Sequence, residues 1–488
     1  MRWGARAARL KMPRHLSPAL AAAAVTIGIG AAATGALADV FRFTPSLLLE
    51  QIFTDNVRAE AADRDADAIT IVGLRLDTQY TSSRIQFLAS GTAYYNEYWA
   101  TNEFDDINGD GAAVGRLTIL HDRLFVDARA NRQEVFLAPD ETSGTGLTTG
   151  QFNSQQTSYA VGPLLTLNMF DLADLAVRAT YAEVAFDEPI AGPLLVPING
   201  VVAKSLTGRV TTGERHSNYE LIGTAEHLET EDGFKLENAV GHVLLHLTGT
   251  FTAIGRYGYE RIEDPSITTV RGPRWSVGGR YSTSGNSSIQ LEFGERFEGT
   301  SWSGAANLVL SPRVRLNAQY VDILVPAQLQ SLRSLDDLFD AEGNLSLQPA
   351  PEPFVTDLTL ANEIVRDKRL SSTMTYTRGL AAFSLNGTHS ERNFVGLGTT
   401  EKQYAIAVDW RETLSRSLTS NASVTFFNDY EPPLGADPLQ QYRAEVGFIY
   451  LYNTDLTFNG SLIWALNDRE TTGDSQTSVL RFGLVQAY

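Results

Sequence analysis

Two short runs in this 488-residue sequence carry residue types that could do chemistry. Asp106-Ile-Asn-Gly-Asp-Gly111 reads as the first half of a calcium-binding loop, in which alternate oxygen ligands and a glycine turn wrap the ion. Asp106, Asn108 and Asp110 would be its ligands. The twelfth position of such a loop calls for Glu and holds Leu117, and the flanks have strand character. The same residue types also favour an external Asx/Gly hairpin tip for turn reasons alone. His389-Ser390-Glu391 supplies the base, nucleophile and acid types that outer-membrane lipases and deacylases place on a barrel wall. Adjacent strand residues point to opposite faces, and His389 shares parity with Phe383 and Leu385. The imidazole therefore belongs on a lipid-facing surface near an external strand end, away from Ser390. None of the seven histidines has metal-ligand spacing with another, and the absence of cysteine excludes disulfides and thiolate sites. The reading is of a chain with no catalytic residues, no cofactor and no enzyme activity.

The remaining polar chemistry alternates with apolar residues. Arg84, Gln86, Asp127, Arg129, Arg274, Arg280, Glu292, Arg296, Arg315, Asn317, Arg443 and Glu445 all fall opposite an apolar face. If that opposite face lines a lumen, the wall mixes both signs with amides and is wet and weakly ion-selective. Hydroxyl-rich chains could slide along it by exchanging hydrogen bonds. The simpler alternative is that these charges only pair with one another across strands.

Positioning such a wall requires strands. In Val314-Arg-Leu-Asn-Ala-Gln-Tyr320, Val314, Leu316, Ala318 and Tyr320 take one face, while Arg315, Asn317 and Gln319 take the other. The period recurs in Tyr442–Phe448, Leu456–Leu462 and Ile289–Phe293, and in Ile85, Phe87, Ala89, Gly91 and Ala93. Short turns such as Thr81–Ser83, His121–Arg123, Ser311–Arg313 and Arg378–Leu380 take turns with longer polar stretches. Those are Pro139–Gln155, Asp264–Pro273, Phe394–Glu401, Asn428–Pro438 and Arg469–Gln476. Short periplasmic turns facing long external loops are expected of outer-membrane barrels, whereas a Greek-key sandwich would not keep that phase. Aromatics near strand ends, including Tyr94, Tyr95, Tyr98, Trp99, Trp302, Tyr320, Trp410, Tyr450 and Trp464, fit interfacial girdles. The expected fold is all-β: an antiparallel up-and-down transmembrane β-barrel of about 22 strands, with both ends in the periplasm. Leu480, Phe482 and Leu484 alternate toward the terminal Tyr488, resembling a C-terminal assembly signal whose usual last residue is Phe.

The N-terminus reads differently. Arg2, Arg6, Arg9, Lys11 and Arg14 precede an apolar run over Ala19–Ala38 that ends in Ala36-Leu37-Ala38, which describes a cleavable signal peptide at 1–38. The barrel then occupies 39–488. Losing the signal's five basic residues takes the formal charge from −18 to −23, which argues against nucleic-acid binding. The longest insertion, 324–357, carries Leu329, Leu332, Leu335, Leu338 and Phe339 at helical spacing, and it reads as a pore constriction or an external cap.

The chain resembles the PEP-CTERM system-associated outer-membrane proteins of exopolysaccharide and exosortase loci. The resemblance rests on Phe43-Thr-Pro-Ser-Leu-Leu-Leu-Glu-Gln-Ile-Phe-Thr-Asp-Asn56, on Leu291-Glu-Phe-Gly-Glu-Arg-Phe297 followed by Ser311-Pro-Arg-Val-Arg-Leu316, and on Asn362-Glu363 through Arg369–Tyr376. It covers nearly all of the chain after the signal. It implies a passive conduit in exopolysaccharide export or envelope assembly, with outer-membrane lipid, polysaccharide and periplasmic export components as partners. Two alternatives stand beside it: a general diffusion porin for small solutes, and a structural or surface-interaction barrel whose acidic loops bind matrix or divalent cations.

Overall fold

The structure is a computed structural model. It describes residues 40–488 apart from 62–63, 137–152, 171, 187–199, 266–268, 284–286, 298, 327–328, 330–363, 396–397, 433–437 and 471–472. The signal segment 1–38 and most of 324–357 therefore lie outside the described residues.

Period-two alternation produces strands throughout. They are β1 (Val40–Thr54), β2 (Asp67–Thr81), β3 (Ile85–Tyr98), β4 (Asp106–Leu120), β5 (Leu124–Phe136), β6 (Asn153–Met169), β7 (Ala173–Phe186) and β8 (Val201–Thr211). Next come β9 (Tyr219–Thr230), β10 (Lys235–His246), β11 (Phe251–Glu263), β12 (Val270–Ser282), β13 (Ser288–Arg296), β14 (Gly299–Ser311) and β15 (Val314–Pro326). The last are β16 (Ile364–Arg378), β17 (Ala381–Phe394), β18 (Thr399–Thr413), β19 (Leu418–Glu431), β20 (Leu439–Leu451), β21 (Leu456–Arg469) and β22 (Ser475–Ala487). All 22 form one antiparallel sheet in which each strand pairs with the next. β1 also pairs with β22, Ser46 standing opposite Ala487 and Thr54 opposite Val479. Closure follows from the medium. An unpaired backbone N–H or C=O in hydrocarbon costs several kcal/mol, and only a closed ring leaves no edge to supply one. No helix among the described residues is long and apolar enough to cross a membrane.

The outer surface is apolar. Leu47, Leu49 and Phe53 on β1, Leu291 and Phe293 on β13, and Val446 and Phe448 on β20 stand exposed on one continuous face. A water-soluble protein does not leave an apolar band of this extent uncovered. Aromatic contacts border it on both sides. Near the short turns, Phe383 lies 6.3 Å from Tyr376 and 6.5 Å from Trp410 between ring centroids. Toward the other end, Phe293 lies 6.2 Å from Trp275 and 4.6 Å from Trp302. Tyr94 and Tyr98 depart from the girdle expected of them. Their parity with Asn96 turns them inward, and Tyr98 packs edge-on to Phe104 in the barrel mouth at 5.8 Å.

One end of the barrel carries the turns 82–84, 121–123, 170–172, 312–313 and 379–380, and the other carries the long connections 55–66, 137–152, 187–200 and 327–363. The alternation is not strict, because 231–234, 297–298 and 395–398 are short although they lie at the long-loop end. Strands run further outward than the polar composition suggests: Arg271–Pro273 belongs to β12, with Pro273 opposite Tyr259 on the outer face. Polar residues above a membrane are as free to form strand as loop, so composition alone misplaces these boundaries.

Candidate functional site

The candidate site is the lumen wall, and its parity comes from the pairing register. Arg116 stands opposite Asp127 and Val114 opposite Arg129, while the alternate pairs Gly115–Ala128 and Ala113–Ala130 face outward. Asp127, Arg129, Arg274, Arg280, Glu292, Arg296, Arg315, Asn317, Arg443 and Glu445 all lie on the inward parity of their strands. Arg84 does not. It sits in the 82–84 turn, exposed at the rim, where its carbonyl accepts from the Thr118 amide at 2.7 Å. Its parity with Gln86 is real, but the strand starts one residue later.

Toward the short-turn end the inward residues are open to solvent. Arg280, Arg315, Asn317 and Gln319 are exposed. Arg280 donates from Nε and Nη2 to Gln290 Oε1 at 2.9 and 2.7 Å. Halfway up, charges pair across strands. Asp127 receives Arg116 Nε at 2.7 Å and Arg178 Nη2 at 3.0 Å. Glu292 accepts from Arg256 at 2.7 Å and from Ser276 Oγ at 3.0 Å, and Arg296 meets Glu260 at 3.1 Å. Within β20, Arg443 pairs with Glu445 two residues along at 2.8 Å. The partners on other strands are invisible before the register is known, because Arg116 comes from the adjacent strand and Arg178, Arg256 and Glu260 from the next but one, at no fixed spacing.

The long-loop end is packed. One apolar cluster joins Val184, Val201, Phe234, Leu236 and Ile262 to Leu324, Leu329 and Ile364, and a second joins Ile52, Ile69, Ile463 and Val479 to Val57 and Tyr98. Val57 belongs to the 55–66 connection. Its neighbour Asn56 donates to the Gln476 carbonyl of the adjacent β22 at 3.1 Å. The base of the long insertion therefore sits among inward-facing residues: Leu324 and Ile364 are buried there, although Leu324 shares parity with the lipid-facing Tyr320. The remainder of the insertion, with Leu332, Leu335, Leu338 and Phe339, lies outside the described residues.

The calcium reading and the hairpin-tip reading both fall to one fact. Asp106–Gly111 is not a loop but part of β4, paired with Asn96–Gly91 of β3. On a strand, Asp106, Asn108 and Asp110 line up along one face, whereas a calcium loop wraps its ligands around a point. Asp106 instead accepts from Asn96 Nδ2 at 2.8 Å and from Asn108 Nδ2 at 2.6 Å. The glycines that mimic a calcium loop answer a close strand approach. A Cβ at Gly109 or Gly111 would meet the carbonyl oxygen of Thr92 or Ser90 at 2.9 Å. Among the described residues no group of three acidic or histidine side chains is arranged to hold a metal. His389 and Ser390 are split as parity requires. His389 Nε2 lies 3.2 Å from the Tyr430 hydroxyl on the outside, and Ser390 donates to Asp367 at 3.0 Å on the inside.

No protein-family model and no curated protein matches the chain. Among solved structures, a variant of the ferric enterobactin receptor of Pseudomonas aeruginosa in complex with enterobactin aligns with a TM-score of 0.51 at 10% identity, covering 92% of this chain and 81% of that one. The siderophore receptor PirA of the same organism gives 0.47 at 10% identity over 92% and 80%, and its OprD gives 0.35 at 12% over 91% and 95%. The receptor likeness supports the fold and nothing finer. Closed sheet, apolar exterior and inward charges together make this chain a 22-stranded β-barrel of the bacterial outer membrane.

Proposed function

We propose that the barrel is a conduit for hydroxyl-rich polymer, serving exopolysaccharide export across the outer membrane. The observation that carries the reading is the contrast between the two ends of the lumen. Arg280, Arg315, Asn317 and Gln319 offer an open wall of hydrogen-bonding groups on the short-turn side, whereas an apolar cluster that includes Leu324, Leu329 and Ile364 packs on the inner wall of the far end. A mixed-charge, amide-bearing wall can exchange hydrogen bonds with sugar hydroxyls without holding any one of them. Entry from the periplasm and an apolar lining at the far end suit a polymer pushed outward by its own synthesis. Specificity for polysaccharide rests on the family resemblance, which is an analogy from fold and motif.

A general diffusion porin shares the wet wall but not the packed mouth. Deleting the gene should abolish secreted polysaccharide and leave polymer in the periplasm; unchanged secretion overturns the export role. In planar bilayers the intact barrel should conduct poorly, and removal of residues 328–341 should raise its single-channel conductance. A high conductance that the deletion leaves unchanged favours the porin.

A further inference from the structure

The wall has a seam. The ladder between β14 and β15 stops at Gly304–Tyr320, yet both strands continue, β14 through 303–299 and β15 through 321–326. Each remains paired on its other side, β14 with β13 and β15 with β16. Above the split, side chains replace the backbone ladder. Arg366 grips Asp322 bidentately at 2.9 and 2.8 Å, Ser301 Oγ donates to Asp322 at 3.0 Å, and Arg296 donates to the Asp322 carbonyl at 3.1 Å. Asp322 shares strand parity with the outward Tyr320 but is buried against the inward Ser301, so the end of β15 has moved inside the end of β14.

Beneath this clasp lies a cavity of about 190 Å³ whose lining comes from both faces of the sheet. Arg256, Arg274 and Arg296 contribute from the lumen side and Trp302 and Tyr320 from the lipid side, together with three carboxylates already engaged, Glu292 by Arg256, Glu295 by the Trp275 indole and Asp322 by Arg366. Trp302 is 56% exposed and belongs to the aromatic contacts with Phe293 that mark the outer border of the apolar band. The split therefore opens at headgroup level. Arg256 and Arg296 are held by Glu292 and Glu260. Arg274 has no hydrogen bond or ion pair with any described residue, although a guanidinium in a partly enclosed site ordinarily finds one.

We propose that this seam is a lateral binding site for an amphiphile with an anionic head: the carboxylate or phosphate on Arg274, the tail leaving between Trp302 and Tyr320 into the outer leaflet. The cavity holds a head the size of a few waters, each about 30 Å³ in the liquid, and so admits a headgroup but not a whole lipid. A guanidinium matches such a head with paired donors, and the flanking indole and phenol suit the polar-apolar boundary.

The test uses the full chain in nanodiscs of zwitterionic lipid, titrated with dansyl-labelled undecanoate and read by energy transfer from tryptophan. Saturable binding is expected, weakened at least roughly tenfold by Arg274→Gln and largely kept by Arg274→Lys. Heat-modifiable gel mobility identifies variants that have not folded, and Arg274→Lys then carries the comparison through its affinity against the neutral probe. The chain has no cysteine, so Ser303→Cys gives a unique thiol in the cavity lining. Its reversible modification with a bulky thiosulfonate should block binding, and reduction should restore it. Equal binding of the uncharged dansyl alcohol, unchanged binding after thiol modification, or Arg274→Gln behaving as the parent each overturns the proposal. Displacement by inorganic phosphate as effective as by fatty carboxylate also overturns it, because the site then serves soluble anions and not amphiphiles.

Discussion

Glu401→Ala is expected to lower the unfolding free energy of the refolded barrel by about 3–5 kcal/mol, the usual cost of stranding one member of a buried ion pair. Glu401 and Arg392 meet at 2.8 Å with side chains 0% and 1% exposed, between β17 and β18 at the packed end of the barrel. Arg392 also lies over the Phe394 ring at 5.2 Å, so its stem is part of the packing there. With the carboxylate gone, the enclosed guanidinium loses its Glu401 bond and keeps Asp367 opposite it, a carboxylate already shared with Arg369. Replacing both partners by apolar residues, Arg392→Met with Glu401→Leu, removes the charge that needs compensation and should recover most of the loss. Guanidinium unfolding of the refolded protein in lipid vesicles measures both. A loss below about 1 kcal/mol for Glu401→Ala would place the pair in water, as for exposed pairs.

Leu291→Arg should cost roughly 2–4 kcal/mol in the same assay, the range for a cation at the bilayer midplane of a barrel. Leu291 is 61% exposed at the centre of β13, which at nine residues barely spans the hydrocarbon. Asn317→Arg is its control. Asn317 is also exposed, but on the inward parity opposite Asn307, and a cation there should stay within about 0.5 kcal/mol of the parent, as at most surface positions. Equal costs at the two sites would mean that the faces are not lipid and water.

Alternation makes the barrel legible in the sequence itself. Val314–Tyr320 and Tyr442–Phe448 announce two faces, and the charged wall from Asp127 to Glu445 follows from them by counting in twos. Pairing is not legible, since Asp127 finds Arg116 and Arg178 only once four strands, β4 to β7, are in register. Asp106–Gly111 misleads for a physical reason. Gly and Asx serve turns, but Gly109 and Gly111 are required here by the approach of β3, and spacing alone does not separate the two demands. The inward shift of β15 was equally hidden, because Asp322 and Leu324 keep the parity of Tyr320 while the strand itself changes place.

Site-directed nitroxide labelling of single cysteines along Val314–Tyr320, in a chain with no native cysteine, tests the barrel most directly. Oxygen accessibility in lipid should peak at 314, 316, 318 and 320, and accessibility to a water-soluble nickel chelate should peak at 315, 317 and 319. Two profiles in phase with each other, or a three-to-four-residue period, would contradict a wall with lipid on one side and water on the other.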